Sequence, residues 1–248
     1  MAFDAGRHGL AQRYLFTALR AAHDAGYTSM AGHVLADMSF QATTLGESKD
    51  AVVLGEAAVR TARRSPASVR ASILSRLAHA YAGAGRIREF DRTRGEALDG
   101  LATRNADQDP EWMYYLTPNH LDCQAGYSLV LMGRRLLAAG DRTGGRALLR
   151  RGQALLRTGA HDRPAADPSQ RRALYEGAWL SLGYAAHGQL DDACQVGRIA
   201  VSRLDRVRSP RSVDLLRRLA ADLMRRKRNV FVQEFLPELN SALARQPA

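Results

Sequence analysis

A chain of 248 residues can bury a full core as one elongated domain. Its formal charge of +11 is almost wholly arginine, because lysine stands only at Lys49 and Lys227; arginine-rich codon usage and selection for an anionic partner both account for that, and the charge bears on association rather than on fold. The two cysteines, Cys123 and Cys194, make no disulfide framework, the first residues carry no secretory apolar region, and no apolar run reaches the ~18 residues of a membrane span, so a cytoplasmic protein with no membrane partner is expected.

Helix formers dominate, and no stretch alternates as a strand would. Residues 1 to 6 are too short for a helix of their own, and Phe3-Asp4-Ala5-Gly6 reads as the last turn of one. The next helix, from about Leu10 to Ala25, has the pattern of a second helix in a hairpin, so the chain reads as opening halfway through a repeat. Its apolar Leu10, Tyr14, Leu15 and Leu19 then need a cover, either an upstream domain or a second copy of the chain.

Residues 27 to 64 and 67 to 100 are read as two hairpins, with Ser65-Pro66 between them and Ser65 placed to cap the next helix. Residues 101 to 118 form a long connection carrying Asp107, Asp109 and Glu111 and then Trp112, Tyr114, Tyr115 and Leu116. These aromatics either dock on the helices or bind a ligand. Residues 119 to 157 make a fourth hairpin, 158 to 169 a loop, and 170 to 206 a fifth hairpin. Ser209-Pro210 starts a helix that Asn229 breaks, and a last helix with Phe231, Phe235 and Leu236 closes the array as residues 207 to 248, a terminal cap.

The hairpins share one pattern. Leu74, Leu77, Ala78 and Tyr81 form a stripe at offsets of three and four, and Gly85 ends the helix. Leu35-x2-Met38 leads in the same way to Gly46, Leu129-x2-Met132 to Gly140, and Leu180 with Tyr184 to Gly188. Small residues follow each glycine where two helices must approach closely. One hairpin cannot bury its own apolar face, so matched hairpins stack. The expected fold is all-α, a right-handed solenoid of helical hairpins forming a single repeat domain over residues 1 to 248.

Catalytic chemistry is not evident. Gly140-x4-Gly145-Arg146-Ala147 lacks the lysine and hydroxyl of a phosphate loop. His120-x2-Cys123 has no second pair of metal ligands, Asp191-Asp192 suits a helix start, and Cys194 reads as packed rather than nucleophilic. No enzyme, cofactor or metal is expected. Of the arginine pairs, only Arg225-Arg226-Lys227-Arg228 is a dense run able to touch phosphates. With the Leu-x2-Leu stripe buried, residues 100° to 150° away face the concave side. These are His33, Asp37, Phe40, Arg76, His79, Tyr127, Leu131, Arg134, Tyr175 and Trp179, a mixture suited to a peptide, a protein segment or a small molecule.

The repeated pattern resembles the tetratricopeptide repeat over residues 1 to about 203, although the glycine spacings of 39, 55 and 48 exceed that family's ~34-residue period and the early aromatic of each repeat is mostly absent. Ala11-Gln12-Arg13-Tyr14 with Ala18-Leu19, Asp109-Pro110-Glu111-Trp112 and Ser209-Pro210-Arg211-Ser212 resemble, more narrowly, the C-terminal repeat region of actinobacterial helix-turn-helix regulators. That resemblance implies a sensor or effector module that reaches DNA only through an upstream domain and forms a possible homodimer. A free-standing scaffold with no link to DNA is the alternative.

Overall fold

The computed structural model describes residues 2–160, 167 and 169–246. Among these it contains eleven α-helices and no strand. The helices are α1 His8–Asp24, α2 Thr28–Leu45, α3 Ser48–Thr61, α4 Ala67–Gly83, α5 Ile87–Ala102, α6 Pro118–Ala138, α7 Arg142–Ala160, α8 Gln170–His187, α9 Leu190–Val201, α10 Pro210–Met224 and α11 Val230–Ala244. Single 3-10 turns at Ala106–Gln108 and Glu111–Met113 interrupt the long connection before α6. Two compact units divide the chain, one of residues 1–3 and 7–128 and the other of 4–6 and 129–248. Each is built from stacked helical hairpins, the construction of an α-solenoid.

One device ends α2, α4, α6 and α8. The residue after the turn glycine donates its N–H to a carbonyl five positions back: Glu47 to Ala42, Arg86 to Tyr81, Asp141 to Leu136 and Gln189 to Tyr184, at 2.9–3.0 Å. The glycine's own N–H reaches back three residues, as Gly46 does to Thr43 and Gly188 to Ala185, both at 3.2 Å. This pair of bonds satisfies otherwise orphaned carbonyls and requires a left-handed residue between them. Glycines 46, 85, 140 and 188 accordingly have φ of 85°, 74°, 92° and 91°. Gly26 and Gly6 do the same at 64° and 71°, with Tyr27 bonding Ala22 and Arg7 bonding Ala2. The repeated pattern does not include these two, although residues 3 to 6 read as the last turn of a helix.

In the first unit α2 packs on α1, α3 and α4, and α4 packs on α5. Ser39 Oγ donates to the Ala51 carbonyl at 2.7 Å, holding α2 against α3. Tyr81 and Leu77 are buried, as the stripe predicts. The long connection folds onto this unit: Met113, Leu116 and Leu121 join the core of Ala36, Val69, Ile73 and Leu101, with Trp112 and Tyr115 packed against them. Of its aromatics Tyr114 is the exposed one, at 88%. The cap expected from Ser65 is not made. Pro66 is the N-cap of α4 without a side-chain bond, while Ser65 Oγ accepts a bond from Ser29 Oγ at 2.9 Å.

In the second unit α8 packs on α7, α9 and α10, and α11 packs on α9 and α10. The same serine device recurs, with Ser181 Oγ donating to the Ala193 carbonyl at 2.6 Å. Gly133 stands at the matching place between α6 and α7, where an added Cβ would lie 2.9 Å from the Gly145 carbonyl. Helix α7 runs to Ala160, past the expected helix end at 157, and residues 161–166 and 168 of the predicted loop lie outside the described residues. Ser209 caps α10 through the Ser212 N–H. Asn229 caps α11, its Oδ1 accepting from the Phe231 and Val232 N–H groups at 3.1 and 3.3 Å. The residue read as a helix breaker is therefore a helix start.

Candidate binding site

Helices α2 and α4 are buried nearly all round, so pairing is favoured for their polar residues. Across α4 and α6 the pairing is regular. Ser75 Oγ donates to Gln124 Oε1 at 2.8 Å, and His79 Nδ1 shares a hydrogen bond with Ser128 Oγ at 2.8 Å. Each pair is 49 apart in sequence, and both helices advance by four residues between the pairs. The two helices therefore run parallel in a fixed register, one turn of about 6 Å per rung. Ser72 Oγ lies 3.4 Å from Tyr115 Oη.

Beside this ladder lies the charged cluster. Arg76 on α4 makes an ion pair with Asp37 on α2, and His33 Nε2 stands 3.9 Å from the other Asp37 oxygen. The Arg76 side chain is 18% exposed and that of Asp37 34% exposed. Burial opposes the charge on Arg76, but Asp37, with Tyr115 and Tyr127 behind it, outweighs that and holds its pKa above the ordinary value. Burial, reinforced by the Arg76 charge, lowers His33 to about 4 against a smaller opposing pull from Asp37. His33 is thus neutral at pH 7. Its ring lies 4.9 Å from Trp112, and its buried Nδ1 has no hydrogen-bond partner. Trp112 Nε1 donates in turn to Tyr27 Oη at 3.1 Å.

Phe40, His79 and Tyr127 complete the first unit's set and are all buried. Their rings meet at 5.0 Å for Phe40 with His79 and 5.2 Å for His79 with Tyr127, and Phe3 closes on Phe40 at 5.9 Å. Of the six predicted residues in this unit, His33, Asp37 and Arg76 remain partly open, and the aromatic members form the wall behind them.

The second unit holds Leu131, Arg134, Tyr175 and Trp179. Arg134 pairs with Asp222 of α10 at 2.5 Å, and Leu131 is partly exposed. Tyr175 and Trp179 are buried, their rings 6.4 Å apart, and the Arg211 guanidinium sits 4.1 Å above Tyr175. Asp4 is the hub here, and sequence reasoning missed it. Its carboxylate accepts from Arg171 at 2.8 Å and Ser209 Oγ at 2.9 Å, with Arg211 at 3.5 Å. The only signal was one acid among many arginines, and nothing in the spacing of residues 4, 171 and 211 announces their meeting.

Other features are less distinctive chemically. A cavity of about 550 Å³ opens between α3, α4 and α5, floored by Ala62, Ala71, Ile73 and Gly100. A recess of about 590 Å³ lies beside Phe16, Leu19 and Leu35. Cys194 is buried, and desolvation pushes its thiol up to about 11, which suppresses thiolate formation. His120 rests against the Tyr115 ring at 5.2 Å, and the described residues hold no group of three or more His, Cys, Asp or Glu placed to bind a metal.

No family model matches the chain, and no curated protein matches it. Solved structures with a similar arrangement include a Podosopora anserina protein described as a kinesin light chain with nearly identical TPR-like repeats, and a one-residue variant of it. Each is 19% identical over 85% of this chain and 93% of its own length, with a TM-score of 0.45. The chain's own helix pattern is one of stacked helical hairpins, with a left-handed glycine closing α2, α4, α6 and α8 and small residues where helices cross.

Proposed function

We propose that the chain is a non-enzymatic recognition module, the sensor part of a transcriptional regulator, and that His33, Asp37 and Arg76 make its principal ligand contact. The observation that carries this reading is the state of those three side chains. Arg76 is kept charged in a largely desolvated place, Asp37 is about one-third open to solvent, and His33 is a neutral ring whose Nδ1 has no partner. An unsatisfied buried polar atom costs stability, so its retention beside a preorganised ion pair favours binding over packing. A peptide, a protein segment or a small molecule with both a donor and an acceptor fits such a site. The buried aromatics Phe40, His79 and Tyr127 hold the cluster in place rather than touch the ligand themselves. On the second unit the partly open Leu131 and Arg134 form a subsidiary contact surface, with the buried Tyr175 and Trp179 in a supporting role.

The link to DNA belongs to this proposal and rests on the regulator-like residues at 11–14, 109–112 and 209–212. Self-association rests on α1, where Tyr14 is 62% and Phe16 56% exposed and Leu10, Leu15 and Leu19 are partly so. Two measurements test the reading. A helix-turn-helix encoded in frame upstream supports the regulator, and its absence favours the free-standing scaffold. Light scattering at several concentrations should show a dimer that Leu15→Glu dissociates; a wild-type chain monomeric throughout removes self-association from the proposal.

A further inference from the structure

The positive charge is not shared evenly. The second unit holds 22 of the 36 Lys and Arg but 12 of the 25 Asp and Glu, a formal +10, whereas the first holds 14 against 13, a formal +1. Several of the second unit's arginines sit against acids: Arg171 and Arg211 converge on Asp4, Arg172 pairs with Glu176, and Arg134 and Arg225 pair with Asp222. The turn between α10 and α11 is different. Arg226, Lys227 and Arg228 are exposed, and none has an ion pair among the described residues.

The same turn carries exposed apolar side chains. Met224 is 50%, Val230 54% and Phe231 38% exposed, so the run from 224 to 231 sets four cations, three of them without an ion pair among the described residues, between apolar flanks. Local bonds fix its shape. The Arg226 N–H reaches the Leu223 carbonyl at 2.7 Å, the Asn229 N–H reaches the Arg226 carbonyl at 2.9 Å, and Asn229 caps α11. The cations have a partial structural account at the C-terminal end of α10, where positive charge is favoured. The apolar residues have none, since the cores of α10 and α11 are closed by Leu219, Leu223, Val232 and Phe235.

We propose that this turn is a contact site for an anionic lipid surface. Cations at the headgroups and apolar side chains at the acyl boundary are what a peripheral membrane contact requires. A nucleic acid would satisfy the arginines and leave Met224 and Val230 exposed. A convex turn fits a bilayer surface better than it fits a peptide, which seeks a groove. No described helix is long and apolar enough to cross a membrane, and the proposal concerns surface contact alone. It departs from the sequence expectation of no membrane partner, which rested only on the missing span.

The test is co-sedimentation of the full chain with phosphatidylcholine vesicles, with and without phosphatidylserine. Binding should require the anionic lipid and fall as salt shortens the Debye length. Reversing the tip charges (Arg226→Glu, Lys227→Glu, Arg228→Glu) should abolish it, since each cation near such a surface contributes about fivefold. The apolar variant (Met224→Ser, Val230→Ser, Phe231→Ser) should weaken binding about tenfold or more at unchanged charge. The control Arg142→Glu, Arg146→Glu, Arg150→Glu, equal in charge but on α7, should lose far less. No sedimentation of the wild type, equal loss in the α7 control, or full binding by the apolar variant would each overturn the proposal. Tighter binding to duplex DNA that ignores the apolar substitutions would replace the lipid with nucleic acid.

Discussion

The two units use the same hairpin for different electrostatic ends. Ser39 and Ser181 make the same bond to a carbonyl twelve residues on, and Gly46 and Gly188 make the same turn. Yet the first unit is nearly neutral and sets a part-buried Asp37–Arg76 ion pair beside the neutral His33, near the Ser75–Gln124 and His79–Ser128 rungs. The second sets Arg171 and Arg211 around Asp4 and leaves Arg226, Lys227 and Arg228 exposed on the turn between α10 and α11. The difference teaches that the repeat fixes only the crossing points. Those positions need small or hydroxyl side chains, and the remaining faces are free to carry a site or a charged surface.

The largest effect expected of a single change is in the shared stripe. Leu77→Ala and Tyr81→Ala should each cost roughly 2–5 kcal/mol, the usual range for truncating a buried side chain. Both residues are buried, and Tyr81 also donates to Glu56 at 3.1 Å. Denaturant melts read this directly, and unchanged midpoints would mean the stripe is not core.

Next comes a pH effect confined to the first unit. His33 has its pKa lowered to about 4 from an ordinary 6.5. Between those values the unfolded chain binds a proton that the folded chain does not, so stability rises with pH. The contribution is fully present above about pH 6.5 and is lost as pH falls toward 4, up to about 3 kcal/mol in all. His33→Gln should flatten that part of the stability–pH curve. An identical slope in the variant would assign the titration to another group.

A smaller effect sharpens the comparison between units. Gly55 and Gly197 hold equivalent places, each close to the conserved-in-pattern serine, with an added Cβ 3.1 Å from Ser39 Oγ or 3.3 Å from Ser181 Oγ. At Gly55 that Cβ also meets the flexible tip of Leu77 at 2.8 Å, whereas at Gly197 it meets two atoms of the buried Phe235 ring at 2.6 Å. A ring cannot yield as a leucine tip can, so Gly197→Ala should cost about 1–3 kcal/mol and Gly55→Ala less. Equal losses in thermal melts would show that the second hairpin relaxes as readily as the first.

The hairpins were legible because their signals are local: a stripe at offsets of three and four, a glycine where φ must be positive, and a serine–proline pair at Ser209-Pro210. Gly26 escaped notice because it breaks the spacing of the others, while Gly6 was legible only as the end of a last turn because little helix precedes it. The site was half legible. The 100° rule picked out His33, Asp37 and Arg76 as neighbours, but it could not tell an open face from one covered by the next helix, so the buried Phe40, His79, Tyr127, Tyr175 and Trp179 came with them. Ser75, Gln124 and Ser128 were missed because a rung 49 residues apart leaves no local trace, and Asp4 was missed for the same reason over a longer reach.

The central claim is that recognition belongs to the first unit's charged cluster, and native mass spectrometry of the purified full chain tests it most directly. Two neutral double variants of similar shape serve as comparison: Asp37→Asn with Arg76→Gln in the first unit, and Arg134→Gln with Asp222→Asn in the second. The account predicts a bound species on the wild type that is lost from the first variant and kept by the second, with helicity unchanged in both. A species kept by the first variant and lost from the second, or no bound species on any form, would contradict it.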